Sequence, residues 1–98
     1  MSFKIRALEF FVQQVENLDE KSKRRIREKI ELIKENPFRF KRIHSKKFNK
    51  AFRVRLNLQG KETRLIYVVV EPNIIIVCLL ERKKDYKDLE KHLSQIGK

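Results

Sequence analysis

Arginine and apolar residues alternate in the segment Phe52-Arg53-Val54-Arg55-Leu56. This pattern can place basic side chains next to each other, where they could bind an anion. Successive side chains of a β-strand point to opposite faces of the sheet. A strand here would bury Phe52, Val54 and Leu56 and would hold Arg53 and Arg55 side by side on the other face. Because arginine grips phosphate through a planar fork that stays charged, the segment predicts a binding site for a polyanion.

A third arginine, Arg64, precedes the apolar run Leu65-Ile66-Tyr67 on the next predicted strand. The register of a hairpin could bring Arg64 to the same face as Arg53 and Arg55. Three converging guanidinium groups could hold a scissile phosphate and stabilise the charge that builds on it. The alternative is that solvated arginines on an exposed strand face simply keep the sheet soluble.

The positive charge of the chain is concentrated rather than spread. The 98 residues carry a net charge of +12, and residues 36–64 contain ten of the 25 basic residues but a single acid, Glu62. A surface rich in charge, as in thermophiles, explains the 39% of charged residues but not this clustering. The clustering predicts a nucleic acid, an anionic surface or an acidic protein as partner. The lysines expected to bind phosphate here are Lys46, Lys47, Lys50 and Lys61.

A second group of candidates follows the third predicted strand, where Arg82 and Lys83 come shortly before Tyr86. A tyrosine at the end of a sheet could stack on a base or shuttle a proton, and nearby cations favour the phenolate. Tyr86 also begins an apolar stripe with Leu89 and Leu93, so a place in the core is the alternative.

Other chemistries lack the residues they need. His44 and His92 have no partner in the sequence, and Cys78 lies in an apolar run that predicts burial. No group of residues has metal-ligand spacing, and Gly60 and Gly97 are the only glycines, too few for a phosphate-binding loop. We therefore expect neither a metal nor a cofactor.

The spacing of apolar residues predicts an α+β fold in one domain over residues 1–98. A strand at 3–6 precedes a helix at about 7–17 and a second helix that Asp19 caps and Asn36-Pro37 ends, the two forming an antiparallel hairpin. A meander of three antiparallel strands completes a single sheet, and a C-terminal helix follows. The strands are expected at 51–58, 63–71 and 73–80, with turns at Gln59-Gly60-Lys61 and Pro72-Asn73. The charged start and the lack of an apolar run of about 18 residues predict a cytoplasmic protein without membrane contact.

This order of elements resembles the RelE/ParE superfamily of bacterial and archaeal toxins. The resemblance covers nearly the whole chain. It depends on the helix end at Asn36-Pro37, the alternating segment at 52–56, Arg64 with its apolar run, and residues 82–86. It implies a toxin of a type II toxin–antitoxin system that cleaves mRNA on the ribosome, with the RNA 2′-hydroxyl as nucleophile and no metal.

Carried over by position, the resemblance implies that Arg53 and Arg55 grip the phosphate backbone and that Arg64 stabilises the transition state. Tyr86 would orient or deprotonate the nucleophile. The family often has another arginine where this chain has Leu80, and Arg82 or Lys83 would then supply the missing charge. Two alternatives stay open: a ParE-like inhibitor of DNA gyrase, and a relative that only binds RNA or its antitoxin.

The resemblance also implies partners. An acidic, partly disordered antitoxin would suit the charge of +12. It could dock on the helical hairpin, cover the arginines or displace the C-terminal helix. The toxin alone is expected to be a monomer and the toxin–antitoxin complex a hetero-oligomer.

Overall fold

The computed structural model describes residues 3–81, 89–94 and 96. Five strands and three helices follow one another in these residues. Their order along the chain is β1 (Lys4–Ala7), α1 (Glu9–Glu16), α2 (Glu20–Glu35), β2 (Lys41–Ile43), β3 (Ala51–Leu58), β4 (Lys61–Val70), β5 (Asn73–Glu81) and α3 (Leu89–Leu93). The predicted α+β class and order of elements are confirmed.

All five strands form one sheet in the order β1-β5-β4-β3-β2. β1 runs parallel to β5, and the other neighbouring pairs are antiparallel. The two most apolar strands, β4 and β5, therefore lie inside the sheet, where both faces of a strand are covered. A β-bulge between Ile66 and Tyr67 shifts the register of β4 against β5.

Helices α1 and α2 cover one face of the sheet, which we call the helix face. Phe11 of α1 and Ile26 and Ile33 of α2 are buried there. Alternate residues of β3 meet these helices, and all of them are buried: Phe52, Val54, Leu56 and Leu58. Burial of this continuous apolar layer is the main source of stability for a domain of this size.

The short helix α3 packs on the opposite face. Leu89 and Leu93 of α3 and the following Ile96 are buried against apolar residues of three strands. Those strand residues include Ala51, Ile66, Val68, Val77 and Cys78. The C-terminal apolar stripe thus covers the part of this face where β3 begins, and the face continues beyond it.

Local signals fix several element ends. Asp19 is the N-cap of α2, since its Oδ1 accepts a hydrogen bond of 2.8 Å from Ser22 N–H. This hydrogen bonding lowers the pKa of Asp19. Asn36 is the C-cap of α2 and directly precedes Pro37, as predicted.

Several predicted boundaries differ from the structure by one or two residues. The hairpin between β3 and β4 turns on Gln59 and Gly60 alone, with φ of 52° and 76°, so Lys61 already belongs to β4 and pairs with Leu58. The first helix begins at Glu9 rather than near residue 7. The reason is that β1 continues to Ala7, which pairs with Ile76.

β5 extends beyond the end of β1, and a side chain of α1 supports its exposed edge. Gln14 Nε2 donates to Leu79 O at 2.9 Å, and Leu79 N–H donates to Gln14 Oε1 at 2.7 Å. The amide thereby satisfies two backbone groups that a neighbouring strand would otherwise pair. None of the helices in the described ranges is both long and apolar enough to cross a membrane.

Candidate nucleic-acid interface

Strand pairing brings the three predicted arginines onto one face. Arg55 of β3 lies directly opposite Arg64 of β4, and Arg53 lies opposite Ile66 on the same side. Lys41 of β2 pairs with Arg53, and Glu62 of β4 precedes Arg64 by two residues, so both also lie on this face. We call the surface formed by Lys41, Arg53, Arg55, Glu62 and Arg64 the arginine face. It adjoins the region that α3 covers.

The three arginines differ in exposure. Arg64 is 8% exposed and Arg53 is partly buried, whereas 60% of the Arg55 side chain is exposed. The Nε atom of Arg53 is buried and has no hydrogen-bond partner among the described residues. A buried guanidinium group interacts more strongly with an anion than a solvated one, because little water screens it. The buried part of the arginine face can therefore bind one phosphate group. Its exposed part can bind neighbouring phosphates of a nucleic-acid backbone.

Glu62 lies between two of these arginines. Its Oε1 is 3.4 Å from Nη2 of Arg64 and 3.9 Å from Nε of Arg55. The Glu62 side chain is 46% exposed, and ion pairs at such positions contribute little to stability. The carboxylate nevertheless occupies a place where two guanidinium groups converge, which is where an anionic ligand would be held.

Leu80 of β5 pairs with Arg64, which pairs with Arg55 of β3 along its other edge. It is 3% exposed and belongs to the apolar cluster under α3. An arginine at this position would complete a row of cations with Arg55 and Arg64. The chain instead has an apolar side chain here, and within the described residues the positive charge of this row comes from β3 and β4.

The predicted lysines occupy none of the strand positions that form the arginine face. Lys46 and Lys47 lie in the segment after β2, beside α3. Lys46 N–H donates to Glu90 Oε1 at 3.1 Å, and the Lys47 ammonium donates to Ile96 O. These contacts fasten that segment to the C-terminal region.

Lys50 and Lys61 are associated with the helix face. The Lys50 ammonium is 3.1 Å from Glu71 Oε1 and 5.5 Å from the centroid of the Phe38 ring, which packs against Phe52. Lys61 alternates with the arginine-face residues of β4, and its ammonium is 3.8 Å from Glu81 Oε1. Lys50 and Lys61 therefore lie apart from the three arginines, and a role for them in binding phosphate stays a prediction.

Lys41 is a basic residue of the arginine face that the sequence analysis did not single out. The signal was weak, because β2 is only three residues long and lies in a segment for which no strand is predicted. Its pairing with β3 places Lys41 next to Arg53. The segment Lys41-Arg42-Ile43 does not alternate between polar and apolar residues, so its sequence pattern does not reveal the strand.

Arg82, Lys83 and Tyr86 lie outside the described residues. The other tyrosine, Tyr67, belongs to the helix-face core: it is fully buried, its ring stacks on Phe52, and its hydroxyl donates to Pro37 O at 2.5 Å. Burial raises the pKa of Tyr67. Tyr67 is therefore a structural residue.

Two further residues noted in the sequence, His92 and Cys78, also have structural roles. The His92 ring stacks on Phe10 with 4.5 Å between centroids, which joins α3 to α1. Cys78 is buried, as predicted. Within the described part of the chain, no cluster of histidine, cysteine, aspartate and glutamate is placed to hold a metal ion.

The comparisons with known proteins agree with this architecture. The family model described as "Phage derived protein Gp49-like" matches residues 13–98. No curated protein sequence matches the chain significantly.

Three solved structures of similar fold come from E. coli. A double arginine-to-alanine mutant of the toxin RelE in the free state has a TM-score of 0.76 at 13% identity, over 98% of this chain and 99% of that one. The isolated RelE toxin has a TM-score of 0.65 at 14% identity, over 94% and 99%. The intact RelBE toxin–antitoxin complex gives 0.62 at 14% identity, over 84% and 99%. The protein thus has the fold of the RelE toxin, and its sequence belongs to the family of phage-derived Gp49-like proteins.

Proposed function

We propose that this protein is the toxin of a type II toxin–antitoxin system and cleaves mRNA on the ribosome in the cytoplasm. The observation that carries the proposal is the convergence of Arg53, Arg55 and Arg64 on one sheet face, with Arg64 largely buried. The RelE fold and the Gp49-like family support a toxin, and the charge of +12 suits a substrate surrounded by RNA.

In the proposed reaction the RNA supplies its own nucleophile, the 2′-hydroxyl group next to the scissile phosphate. Arg53 and Arg55 hold the phosphate backbone, and Arg64 donates hydrogen bonds to the phosphate oxygens as negative charge grows on them. Such preorganised donors commonly contribute about 10²–10³-fold to a rate. Tyr86 orients the nucleophile, and Arg82 and Lys83 provide the charge that Leu80 does not.

We further propose that residues 1–98 act as one domain and that an acidic antitoxin neutralises the toxin. One of the similar structures is a toxin–antitoxin complex, which supports a partner of this kind. The net charge of +12 favours an acidic chain. The free toxin is then a monomer, and the complex is a hetero-oligomer.

A translating-ribosome assay with mapped mRNA ends tests this function. We expect cuts at the codon in the ribosomal A site, with a 2′,3′-cyclic phosphate on one fragment and a 5′-hydroxyl on the other. An mRNA with a single 2′-deoxynucleotide at the scissile position should stay intact, because its nucleophile is missing. Cutting of that deoxy substrate would contradict 2′-hydroxyl attack.

A second function, binding without cleavage, is favoured by Leu80, the apolar residue that pairs with Arg64 where an arginine would add a third cation to the row. In that case the folded protein would bind RNA in a salt-dependent way and leave mRNA intact. Inhibition of gyrase supercoiling by a protein that leaves mRNA intact would instead identify a ParE-like activity.

A further inference from the structure

The reaction proposed above requires a group that removes the proton of the 2′-hydroxyl. An arginine side chain keeps its protons at any accessible pH, so Arg53, Arg55 and Arg64 can bind and stabilise charge but cannot accept a proton. Within the described part of the sheet, Glu62 is the one carboxylate on the arginine face. Among the described residues of this face, its carboxylate oxygens are therefore the groups that can accept a proton.

Glu62 lies beside the two arginines that would hold the phosphate. Glu62 Oε1 is 3.4 Å from Arg64 Nη2 and 3.9 Å from Arg55 Nε. A phosphate held by these two arginines would therefore lie next to the carboxylate, and the 2′-hydroxyl of the preceding ribose adjoins that phosphate. A proton acceptor must come within hydrogen-bond reach of the proton that it removes.

The ion pairs do not prevent the carboxylate from acting. A guanidinium group has five N–H donors in a fixed fork, so Arg64 can donate to Glu62 and to a phosphate oxygen together. The Glu62 side chain is 46% exposed, so the RNA can reach it, and ion pairs at this exposure are weak enough to rearrange on binding.

We propose that Glu62 is the general base of the cleavage reaction, an inference that rests on the proposed function. Glu62 takes the proton of the 2′-hydroxyl as that oxygen forms a bond to phosphorus. The bond from phosphorus to the 5′-oxygen breaks, and the leaving 5′-oxygen takes a proton from water. Arg55 and Arg64 stabilise the additional negative charge on the phosphate oxygens, and Tyr86 keeps its orienting role.

The test is single-turnover cleavage on programmed ribosomes with Glu62→Gln, which keeps the shape of the side chain but loses the proton acceptor. We expect the rate at saturating toxin to fall by about 10²–10⁴-fold. The toxin concentration for half-maximal rate should stay equal or fall, because a charge that repels phosphate is gone. Glu62→Asp, which retains a carboxylate, should recover part of the rate.

Glu71→Gln is the matched control. Glu71 has the same 46% side-chain exposure and also forms an ion pair, with the Lys50 ammonium at 3.1 Å. It precedes the turn between β4 and β5, at the end of β4 away from Glu62. Its substitution changes the net charge equally and should leave the rate at saturating toxin unchanged.

Other outcomes overturn the inference. If Glu62→Gln binds more tightly and cleaves at least as fast as the wild type, Glu62 only competes with phosphate for the arginines. If Glu62→Gln cleaves normally while Arg64→Met does not, the inference fails and the proposed function stands. A folded wild type that binds ribosomes without cutting mRNA overturns both.

Discussion

The two faces of the sheet use the same strand in different ways. On the helix face, β3 contributes Phe52, Val54, Leu56 and Leu58, and every one of them is buried under α1 and α2. On the other face, the strand begins with buried Ala51 under α3 and then presents Arg53 and Arg55. One face is thus apolar along its whole length, whereas the other changes from core to cationic surface within three residues.

This difference separates the residues that stabilise the fold from the residues that we propose to bind RNA. The helix face and the residues under α3 provide the buried apolar area that holds the sheet. The arginine face is centred on β3, which is held on both sides because it pairs with β2 and β4. A rigid strand can hold guanidinium groups in fixed positions at little cost in entropy, as a phosphate site requires.

Substitutions on the two faces of β3 should therefore differ in how much they lower the free energy of unfolding. Phe52→Ala removes a ring that stacks on Tyr67 and contacts Phe38, and it should lower the free energy of unfolding by about 3–5 kcal/mol. Arg55→Ala, on an exposed side chain, should change that free energy by no more than about 0.5 kcal/mol. Urea denaturation of both variants measures the difference.

In RNA binding the order of the two variants should be reversed, with the larger effect in Arg55→Ala. Arg55→Ala should reduce the slope of log affinity against log salt by about 0.7–0.9, which corresponds to one lost phosphate contact. Phe52→Ala should leave the slope unchanged at temperatures where the variant is folded. A large loss of stability in Arg55→Ala would contradict the separation of the two faces.

A smaller effect is expected at the N-terminus of α2, remote from the arginine face. Hydrogen bonding from Ser22 lowers the pKa of Asp19 in the folded protein, so the ionised carboxylate stabilises the fold above its unfolded pKa. This contribution is lost as the pH falls through the folded pKa. Asp19→Asn should lower the melting temperature slightly at neutral pH, and the difference from the wild type should vanish in acid.

Glu31→Gln, on an exposed residue within α2, is the control for the change in charge. If the gap between Asp19→Asn and the wild type stays constant with pH, the carboxylate does not stabilise the helix by its charge. Neither variant should alter RNA binding beyond the general effect of one charge.

Much of this structure could be predicted because local patterns and tertiary packing agree. The alternation in β3 has the period of a strand, and the structure gives each residue of 52–56 the expected side. Asp19 and Asn36 mark the ends of α2 through hydrogen bonding and the effect of the following proline. Arg64 was expected on the same face as Arg55, and the observed two-residue turn, one residue shorter than predicted, places the two residues directly opposite each other.

The rest depended on contacts between distant parts of the chain. Lys50 and Lys61 are close to the arginines in sequence, but strand alternation and ion pairs with Glu71 and Glu81 place them elsewhere. Lys41 reaches the site only through pairing of a three-residue edge strand. Sequence charge alone does not say which face a side chain occupies.

The most direct measurement is the rate of A-site mRNA cleavage by Arg64→Ala and Arg64→Met relative to the wild type. Methionine keeps an apolar stem in the mostly buried position of Arg64, so it separates lost charge from lost packing. Arg27→Ala, on an exposed part of α2, is the control for charge. We predict that both Arg64 variants fold and lose cleavage by at least about 10²-fold, while Arg27→Ala cuts normally. Cleavage at the wild-type rate by folded Arg64→Met would contradict the account.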